Sequence, residues 1–300
     1  MKVLVTGATG YVGGALANAF LNGSNQVTGT GRSEDRARSL IAKGMSFAPT
    51  ALEEPDALRA LAAAHEVVIH AAISEGPRRG ELDEQATLAL IAGAQAGRGR
   101  VFIYTSSCWA LGTTQGPADE TFPANPLPAG AWRKTLEPRV LQSSTERLRT
   151  HVVRPGRIYG GRGGAFAPWF EAALAAEKVR YLGNGNTRWA LVHREDLAEL
   201  YRRVVEAGAA GALYHGTDDT AHPEATLAKV MAAASGAPGV TDWPVEKARK
   251  ELGAFVDSLT LDQHVISPAA RRLGWLPRIT DVLTVADRVY DEYVASPPES

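Results

Sequence analysis

Three glycines near the N-terminus, Gly7, Gly10 and Gly13, come directly after a short apolar run, Val3 to Val5. An apolar run without polar alternation is typical of a strand that is buried on both faces. The apolar residues after Gly13 have helical spacing, so the predicted order is strand, glycine turn and helix. Such a turn lets the backbone approach a pyrophosphate, and the helix N-terminus offers N–H groups and a partial positive charge. The stretch therefore predicts a dinucleotide-binding site.

The end of the second predicted strand, residues 26–31, bears on which dinucleotide is bound. At this position a carboxylate binds the ribose 2′-hydroxyl of NAD, whereas an arginine accommodates the 2′-phosphate of NADP. The chain has Gly31 followed by Arg32. Ser33 can add a hydroxyl to the site or cap the next helix. We expect NADP to be the cofactor; the alternative is that Arg32 is a solvated loop charge.

The glycine turn, Thr6-Gly-Ala-Thr-Gly-Tyr-Val-Gly13, resembles the cofactor loop of the extended short-chain dehydrogenase/reductases. These are the relatives of NDP-sugar epimerases, dehydratases and dihydroflavonol-type reductases, and the resemblance continues to about Leu200. It implies an α/β fold: a doubly wound, mostly parallel Rossmann sheet with a small interleaved C-terminal substrate lobe. The expected NADP-binding domain is 1–156 with 194–215, and the expected lobe is 157–193 with 216–300.

Two further segments resemble cofactor-binding stretches of this family. Residues 66–72 resemble its "DVVIHLAA" strand, in which His70 is expected to be structural, and residues 154–160 resemble its "RPxxxYG". The cofactor contacts implied by the resemblance are Gly7, Thr9, Gly10, Tyr11, Val12, Gly13, Arg32, Ser33, Ala71, Ala72, Pro155 and Gly156.

Ser107 is the predicted substrate-polarising residue. The segment 106–112 resembles the family's "SSxxxxG", which follows the fifth strand, and Ser107 matches the active-site serine whose hydroxyl bonds the substrate carbonyl. The end of a parallel strand is where doubly wound folds place ligands. The alternative is that Ser107 is an ordinary loop hydroxyl.

The family's proton-transferring tyrosine is missing from its expected place. That Tyr precedes a Lys by four residues, one helical turn, and the ammonium lowers the pKa of the phenol so that it can pass a proton. Here no tyrosine occurs between Tyr104 and Tyr159. The chain therefore resembles an atypical member without the usual acid–base group.

Three alignments of the region remain open. Counting from Ser107 places Trp132 and Leu136 at the Tyr and Lys sites, alignment on Lys134 places Gly130 at the Tyr site, and alignment on Glu137 places Ala129 and Arg133 at the two sites. We expect a cation from Arg133 or Lys134 near the cofactor ribose. Tyr159, Lys134 or water held by Ser107 are the candidate proton sources.

Tryptophans are the candidate substrate contacts. The indole N–H does not titrate at ordinary pH, so Trp132 is expected to cover the nicotinamide or wall the pocket rather than relay a proton. Trp109 is the other candidate. If Trp109, Trp132, Trp169 and Trp189 converge, they favour an apolar or aromatic ligand; the alternative is separate core or surface positions.

Composition narrows the possible partners. The net charge of −1 argues against a nucleic-acid surface or a polybasic membrane patch, and no apolar run approaches the ~20 residues of a membrane span. The single cysteine, Cys108, excludes an internal disulfide and a cysteine-rich metal site, so no metal is expected. We expect a cytoplasmic protein with a small-molecule substrate, and the resemblance allows a homodimer.

These features lead to three functional hypotheses. The first is an NADP-dependent oxidoreductase that acts on a small organic carbonyl or alcohol by hydride transfer. The second, motivated by the missing tyrosine, is a non-catalytic NADP-binding sensor. The third is an NDP-sugar epimerase or dehydratase, which NAD preference would favour.

Overall fold

The computed structural model describes residues 1–32 and 34–297, so the prediction for Ser33 falls outside the described residues. The strands are β1 (Lys2–Thr6), β2 (Gln26–Gly31), β3 (Ser46–Pro49), β4 (Val67–His70), β5 (Val101–Thr105), β6 (Pro117–Ala118), β7 (Arg149–Pro155), β8 (Arg157–Gly160), β9 (Gly163–Gly164), β10 (Val179–Leu182), β11 (Arg188–Trp189), β12 (Leu191–His193), β13 (Ala212–Gly216), β14 (His222–Pro223), β15 (Val240–Trp243) and β16 (His264–Val265). The α-helices are α1 (Tyr11–Asn22), α2 (Glu34–Ala42), α3 (Pro55–Ala63), α4 (Arg79–Ala96), α5 (Arg133–Gln142), α6 (Ala167–Leu174), α7 (Arg194–Ala207), α8 (Glu224–Ser235), α9 (Val245–Leu252), α10 (Phe255–Leu259), α11 (Pro268–Arg272) and α12 (Ala286–Ala295).

A seven-stranded sheet forms the centre of the described residues. Its order is β3–β2–β1–β4–β5–β7–β13, and every pairing in it is parallel. The chain builds outward from β1 toward β3, then returns to β4 on the other side of β1. Ligands bind at the carboxyl ends of strands beside such a reversal. The predicted doubly wound Rossmann sheet is confirmed.

Both faces of this sheet are covered, as the unbroken apolar run in β1 predicts. Val3 and Val5 lie in the core beneath α1 and α7, whereas Leu4 points to the opposite core beneath α3, α4 and α5. All three side chains are fully buried. Because consecutive side chains of a strand alternate between faces, a strand covered on both sides needs apolar residues at every position.

A separate apolar core lies in the C-terminal region, where α6, α8 and α12 pack around β10 and β12. The chain is interleaved here, because α11 packs on β13 and Trp275 is buried in the core of the central sheet. The predicted residue bounds of the two domains stay a prediction.

α4, next to the site, begins at Arg79 with a first turn that is polar except for the buried Leu82. None of the helices in the described ranges combines the length and apolar character needed to cross a bilayer.

Candidate functional site

The glycine turn is packed so closely that only glycine fits at two of its positions. Gly7 has φ +69°, and a Cβ placed there would lie 2.7 Å from Ala72 Cα. A Cβ at Gly13 would lie 2.1 Å from Gly7 O, where α1 crosses the turn. Gly10, the N-cap of α1, has no side chain to bond the first turn of the helix. The first N–H groups of a helix have no intrahelical partner, so this end can receive a pyrophosphate.

The other predicted cofactor contacts of this turn surround the same cradle. Thr9 is partly exposed and faces Gly31, while Val12 packs against the core below. The Tyr11 hydroxyl donates to Gly160 O at 2.8 Å, which ties the start of α1 to β8. Ala71 and Ala72, just after β4, close the floor of the turn.

The tip of β2 offers little room for a carboxylate. A Cβ at Gly31 would lie 2.5 Å from Thr9 Oγ1 and 3.0 Å from its methyl carbon. The next residue, Arg32, is exposed and forms no ion pair with any residue that the structure describes. A guanidinium without a protein partner beside the adenosine end of the site fits a phosphate better than a hydroxyl.

A buried hydrogen-bond chain joins the ends of β1 and β4 to α4. Thr6 Oγ1 accepts N–H bonds from Ala71 (3.2 Å) and Ala72 (3.3 Å), so its own hydrogen is directed to His70 Nδ1 at 2.6 Å. His70 is therefore protonated on Nε2, which donates to Asp83 Oδ1 at 3.2 Å. His70 thus links the end of β1 to α4 through Thr6 and Asp83, and this link is the structural role expected of it.

Asp83 is a buried carboxylate that accepts from three side chains. Besides His70, Tyr104 Oη donates to its Oδ2 at 2.5 Å and Trp132 Nε1 donates to the same oxygen at 2.6 Å. Burial alone would raise the pKa of Asp83, but these bonds outweigh it and hold the pKa below its usual value. Burial beside this carboxylate raises the pKa of Tyr104 well above the ordinary range. Asp83 is thus an ionised anchor rather than a proton donor.

Trp132 is held in a fixed orientation by this anchor. Two guanidinium groups lie over its ring, that of Arg133 at 4.4 Å from the ring centroid and that of Arg79 at 5.3 Å. A Cβ at Gly80 would lie 2.9 Å from the indole, so α4 accommodates the ring only because residue 80 is glycine. We call Trp132, Asp83, Arg79 and Arg133 the α4–α5 cluster.

The placement of α5 favours one of the three alignments. Leu136 is fully buried in the core, and Lys134 is exposed on the outer face of the helix. Arg133 instead turns inward: its Nε is buried without a hydrogen-bond partner among the described residues, and its charge acts on the nearby Tyr104. This geometry favours Arg133, with Ala129 at the tyrosine position, and presents a cation to the cleft.

Glu137 fixes the depth of α5 against the sheet. It is buried and forms a bidentate ion pair with Arg154 on β7, with Nη2–Oε2 at 2.5 Å and Nε–Oε1 at 3.1 Å. The buried Ser106 hydroxyl donates to the same carboxylate. Because Ser106 is engaged there, the next residue, Ser107, is turned the other way and remains partly exposed.

Ser107 keeps its hydroxyl hydrogen available. Its Oγ accepts the N–H of Trp109 at 3.2 Å, which fixes the oxygen at the start of a 3-10 turn spanning Cys108–Leu111. A serine hydroxyl both accepts and donates, so the donor remains for a ligand oxygen. Pro155 and Gly156 lie at the end of the neighbouring β7, where a Cβ at Gly156 would come within 2.6 Å of Ala190 O.

Tyr159 lies away from these groups, inside the C-terminal core. Its ring is fully buried against Phe166 and His193, at 5.3 Å between centroids in both cases, and its hydroxyl has no partner among the described residues. Burial raises the pKa of its phenol further above the ordinary range. This position favours a packing role over proton transfer.

The tryptophans divide into two groups rather than converging. Trp109 and Trp189 both lie close to the Arg157 guanidinium, at 5.7 and 4.3 Å from ring centroid to Arg157 Cζ, and Trp169 stacks on Trp189 at 5.1 Å. Trp132 belongs to the α4–α5 cluster instead. We call Trp109, Arg157 and Trp189 the β8 cluster.

A groove of about 1290 Å³ opens beside the glycine turn but runs along the outside of α1, toward Arg202 of α7 and Lys43, which follows α2. It contains neither Ser107 nor Arg157, so it is not where these groups could meet a substrate. Within the described ranges, no three His, Cys, Asp or Glu side chains are grouped so that they could hold a metal ion.

Comparison with known proteins places these features in context. The model of the NAD dependent epimerase/dehydratase family matches residues 3–215. The 3-diazoavenalumate denitrifying reductase of a Streptomyces species is 30% identical over 302 residues, which cover 92% of this chain and 96% of the relative. The 2-alkyl-3-oxoalkanoate reductase of Stenotrophomonas maltophilia is 27% identical over 323 residues, covering 93% and 96%. The crystal structure of UDP-glucose 4-epimerase from Thermotoga maritima superposes with a TM-score of 0.84 at 19% identity, covering 98% of this chain and 99% of that one.

Sequence reasoning missed the importance of three side chains near the site. The sequence patterns give no role to Asp83, Arg79 or Arg157, because an isolated charged residue in a helix or strand can serve many purposes. A signal existed for Asp83, since a carboxylate within an otherwise apolar helical stripe is buried at a cost unless donors meet it.

Proposed function

Because this chain belongs to the NAD dependent epimerase/dehydratase family, we propose that it is an NADP-dependent reductase of a small organic carbonyl compound. The observation that carries the cofactor choice is the tip of β2, where Gly31 leaves little space for a carboxylate and Arg32 is exposed without an ion-pair partner among the described residues. The two relatives described above are both named reductases, which supports the direction of the reaction.

The residues present fit a dinucleotide. The close-packed Gly7 and Gly13 and the uncapped start of α1 form a cradle for the pyrophosphate. When bound, the nicotinamide supplies the hydride for carbonyl reduction. The chain's own part is to orient the substrate oxygen and to stabilise the negative charge that develops on it.

Two groups are available to stabilise that charge. The Ser107 hydroxyl can donate to the substrate oxygen, and the inward-turned Arg133 guanidinium would supply a fixed positive charge. Arginine stays protonated, so it stabilises an oxyanion without giving up a proton. Since Tyr159 is enclosed in the core and Lys134 faces outward, we propose that water held by Ser107 protonates the product oxygen.

The cofactor choice is tested by titrating the protein with NADPH and NADH while following the fluorescence of the reduced nicotinamide. Arg32→Ala should weaken NADPH binding by roughly 10-fold or more, because a charge-assisted contact to the 2′-phosphate is lost, and should leave NADH binding unchanged. Arg38→Ala is the matched control, because Arg38 is an exposed arginine of α2 paired with Asp35. Equal loss for both cofactors, or no NADPH binding at millimolar concentration, would contradict the proposal.

The absence of a tyrosine in α5 also favours the second hypothesis, a sensor that binds NADP without turnover. Consumption of NADPH with a broad carbonyl panel separates the two, since sustained turnover eliminates the sensor. An NDP-sugar epimerase or dehydratase remains the third hypothesis, and tighter binding of NADH than NADPH would favour it. Homodimerisation and a cytoplasmic location stay predictions.

A further inference from the structure

Arg157 is a deeply surrounded cation for which the structure shows no counter-ion. It follows Gly156 directly, at the start of β8, and its guanidinium lies over the rings of both Trp109 and Trp189. No carboxylate of the described residues lies within ion-pair distance, 4.0 Å, of it. Burial lowers the pKa of Arg157 to about 10. The protein therefore bears the cost of desolvating this charge without the usual compensation.

The acid that faces Arg157 does not neutralise it. Glu224 of α8 is 5% exposed, and its Oε1 accepts the N–H of Leu182 at 3.0 Å, whereas its Oε2 has no partner among the described residues. Burial raises the pKa of Glu224 to about 7, so the carboxyl is partly protonated at neutral pH. Trp189 Nε1 is likewise buried without a partner. Unpaired buried donors and acceptors gathered around one cation are typical of a ligand site.

The hydrogen bonds of Arg157 hold it in place but leave donors free. Its Nη2 donates to Leu259 O at 2.9 Å and, more weakly, to Ser258 O at 3.5 Å, at the end of α10. A guanidinium has five N–H donors, so these bonds orient the planar fork and leave the others for a planar acceptor. Arg157 remains partly exposed at the surface.

Trp109 connects Arg157 to Ser107. The backbone N–H of Trp109 is bonded to Ser107 Oγ, and its ring lies over the Arg157 guanidinium. On the outer side of that ring lies Phe255, which is 50% exposed and packs edge-on at 5.8 Å between centroids. A substrate whose oxygen meets Ser107 would therefore have an aromatic wall beside it and a cation beyond.

We propose that the β8 cluster, with Phe255, is the specificity site of the enzyme, and that Arg157 binds a carboxylate of a substrate whose body is apolar or aromatic. The carboxylate supplies the missing counter-ion, and Trp109 and Phe255 contact the apolar part. Only the placement of a reacting carbonyl at Ser107 rests on the proposed reductase function. The anion site itself can be tested without any turnover.

The test compares carboxylates with their neutral amides by quenching of intrinsic tryptophan fluorescence, because Trp109 and Trp189 lie close to the guanidinium. The probes are phenylacetate, 3-phenylpropanoate and hexanoate, each titrated beside its amide, with and without NADP. We expect at least one carboxylate to bind the wild-type protein 10-fold or more tightly than its amide. Wild-type protein that prefers no carboxylate, or that binds none at 10 mM, overturns the proposal.

Arg157→Gln should reduce this preference to less than about twofold while leaving amide binding unchanged. Arg149→Gln is the matched control, because Arg149 is also partly buried and bonded to two helix-terminal carbonyls, those of Val205 and Gly208. The control should keep the preference. Retention of the preference in Arg157→Gln, or equal loss in both variants, would refute the role of Arg157.

Arg157→Lys covers the case in which the glutamine variant does not fold. It keeps the charge but not the planar fork, so the preference should shrink yet stay above twofold; a preference equal to wild type would contradict recognition by the fork. The outcomes also separate the two proposals. A preference for carboxylates without NADPH consumption would contradict the reductase function and support the carboxylate site. Consumption of NADPH with neutral ketones, without a preference for carboxylates, would support the reductase function and contradict the carboxylate site.

Discussion

The α4–α5 cluster and the β8 cluster contain the same kinds of side chain in opposite arrangements. In the first, two arginines lie over the ring of Trp132, and its indole N–H is bonded to the ionised Asp83. In the second, Arg157 lies over the rings of two tryptophans, and no ionised partner among the described residues reaches it. The hydrogen bonds to Asp83 are satisfied internally and hold Trp132 in a rigid wall, whereas the unpaired charge of Arg157 is prepared for a ligand. Three measurements can break or sharpen this contrast.

The largest effect is expected from Asp83→Ala. The change leaves His70, Tyr104 and Trp132 without their shared acceptor in a buried site, so the free energy of unfolding should fall by ~3 kcal/mol or more. Asp83→Asn keeps one oxygen acceptor and should lose roughly half as much. Urea denaturation at pH 7 measures both.

The control for Asp83 is the pH dependence of this loss of stability. Because the pKa of Asp83 is lower in the folded protein than in the unfolded chain, its contribution to the free energy of unfolding is present above the unfolded value of 3.8 and is lost as the pH falls through the folded pKa. The cost of Asp83→Ala should therefore be undiminished between pH 5 and pH 8. A loss below ~1 kcal/mol would mean that the α4–α5 cluster is not an internally satisfied wall.

The second effect concerns the charge balance of the β8 cluster. The pKa of Glu224 is raised from 4.5 in the unfolded chain to about 7 in the folded protein. The free energy of unfolding of the wild-type protein should therefore decline as the pH rises from 4.5 to 7, because the unfolded chain releases this proton at a lower pH than the folded protein does. Glu224→Gln lacks this titration and keeps an acceptor for Leu182 N–H. Relative to wild type, the variant should gain ~3 kcal/mol in the free energy of unfolding between pH 4.5 and pH 8.

The measurement is chemical denaturation of both proteins at pH 4.5, 6 and 8. Should Glu224→Gln be less stable than wild type at pH 8, Glu224 would be an effective counter-ion of Arg157. The β8 cluster would then be internally satisfied like the other one, and the contrast would fail.

The smallest effect compares the two indoles. Trp132→Phe keeps an aromatic ring beside the arginines but removes the N–H bond to Asp83, so the free energy of unfolding should fall by ~1–2 kcal/mol. Trp109→Phe removes no hydrogen bond of its side chain to another described residue and should change stability by less than ~0.5 kcal/mol. Thermal and urea unfolding of the pair decide this; equal losses would show that the indole N–H of Trp132 is unimportant.

Local sequence patterns were sufficient for the framework. The apolar run of β1, the glycine spacing and the serine after β5 all report on short-range requirements, namely burial on two faces, close backbone approach and a strand end. Each is imposed by residues adjacent in the chain or by a single crossing helix. The predicted sheet and the location of the cofactor turn therefore followed from the sequence.

The fine structure of the site could not be obtained in the same way. Alignment left α5 in three registers, and one of them is favoured by the burial of Leu136, the exposure of Lys134 and the inward turn of Arg133. The four tryptophans looked equivalent in sequence, yet their partners come from α4, β8 and α10, which are distant along the chain. Charge pairing depends on which distant elements meet, and no local pattern encodes it.

By itself, the sequence determined the close-packed glycine turn on a parallel sheet and the absence of a tyrosine in α5, because glycine spacing and residue type are local properties. Only the tertiary structure decided that Arg133 faces inward, that Asp83 holds Trp132, and that Arg157 lies over two indoles without a counter-ion among the described residues. The physical reason is that electrostatic compensation is a property of neighbours in space: Trp132 and its acceptor Asp83 lie 49 residues apart in the chain, and Arg157 and its acceptor Leu259 lie 102 apart.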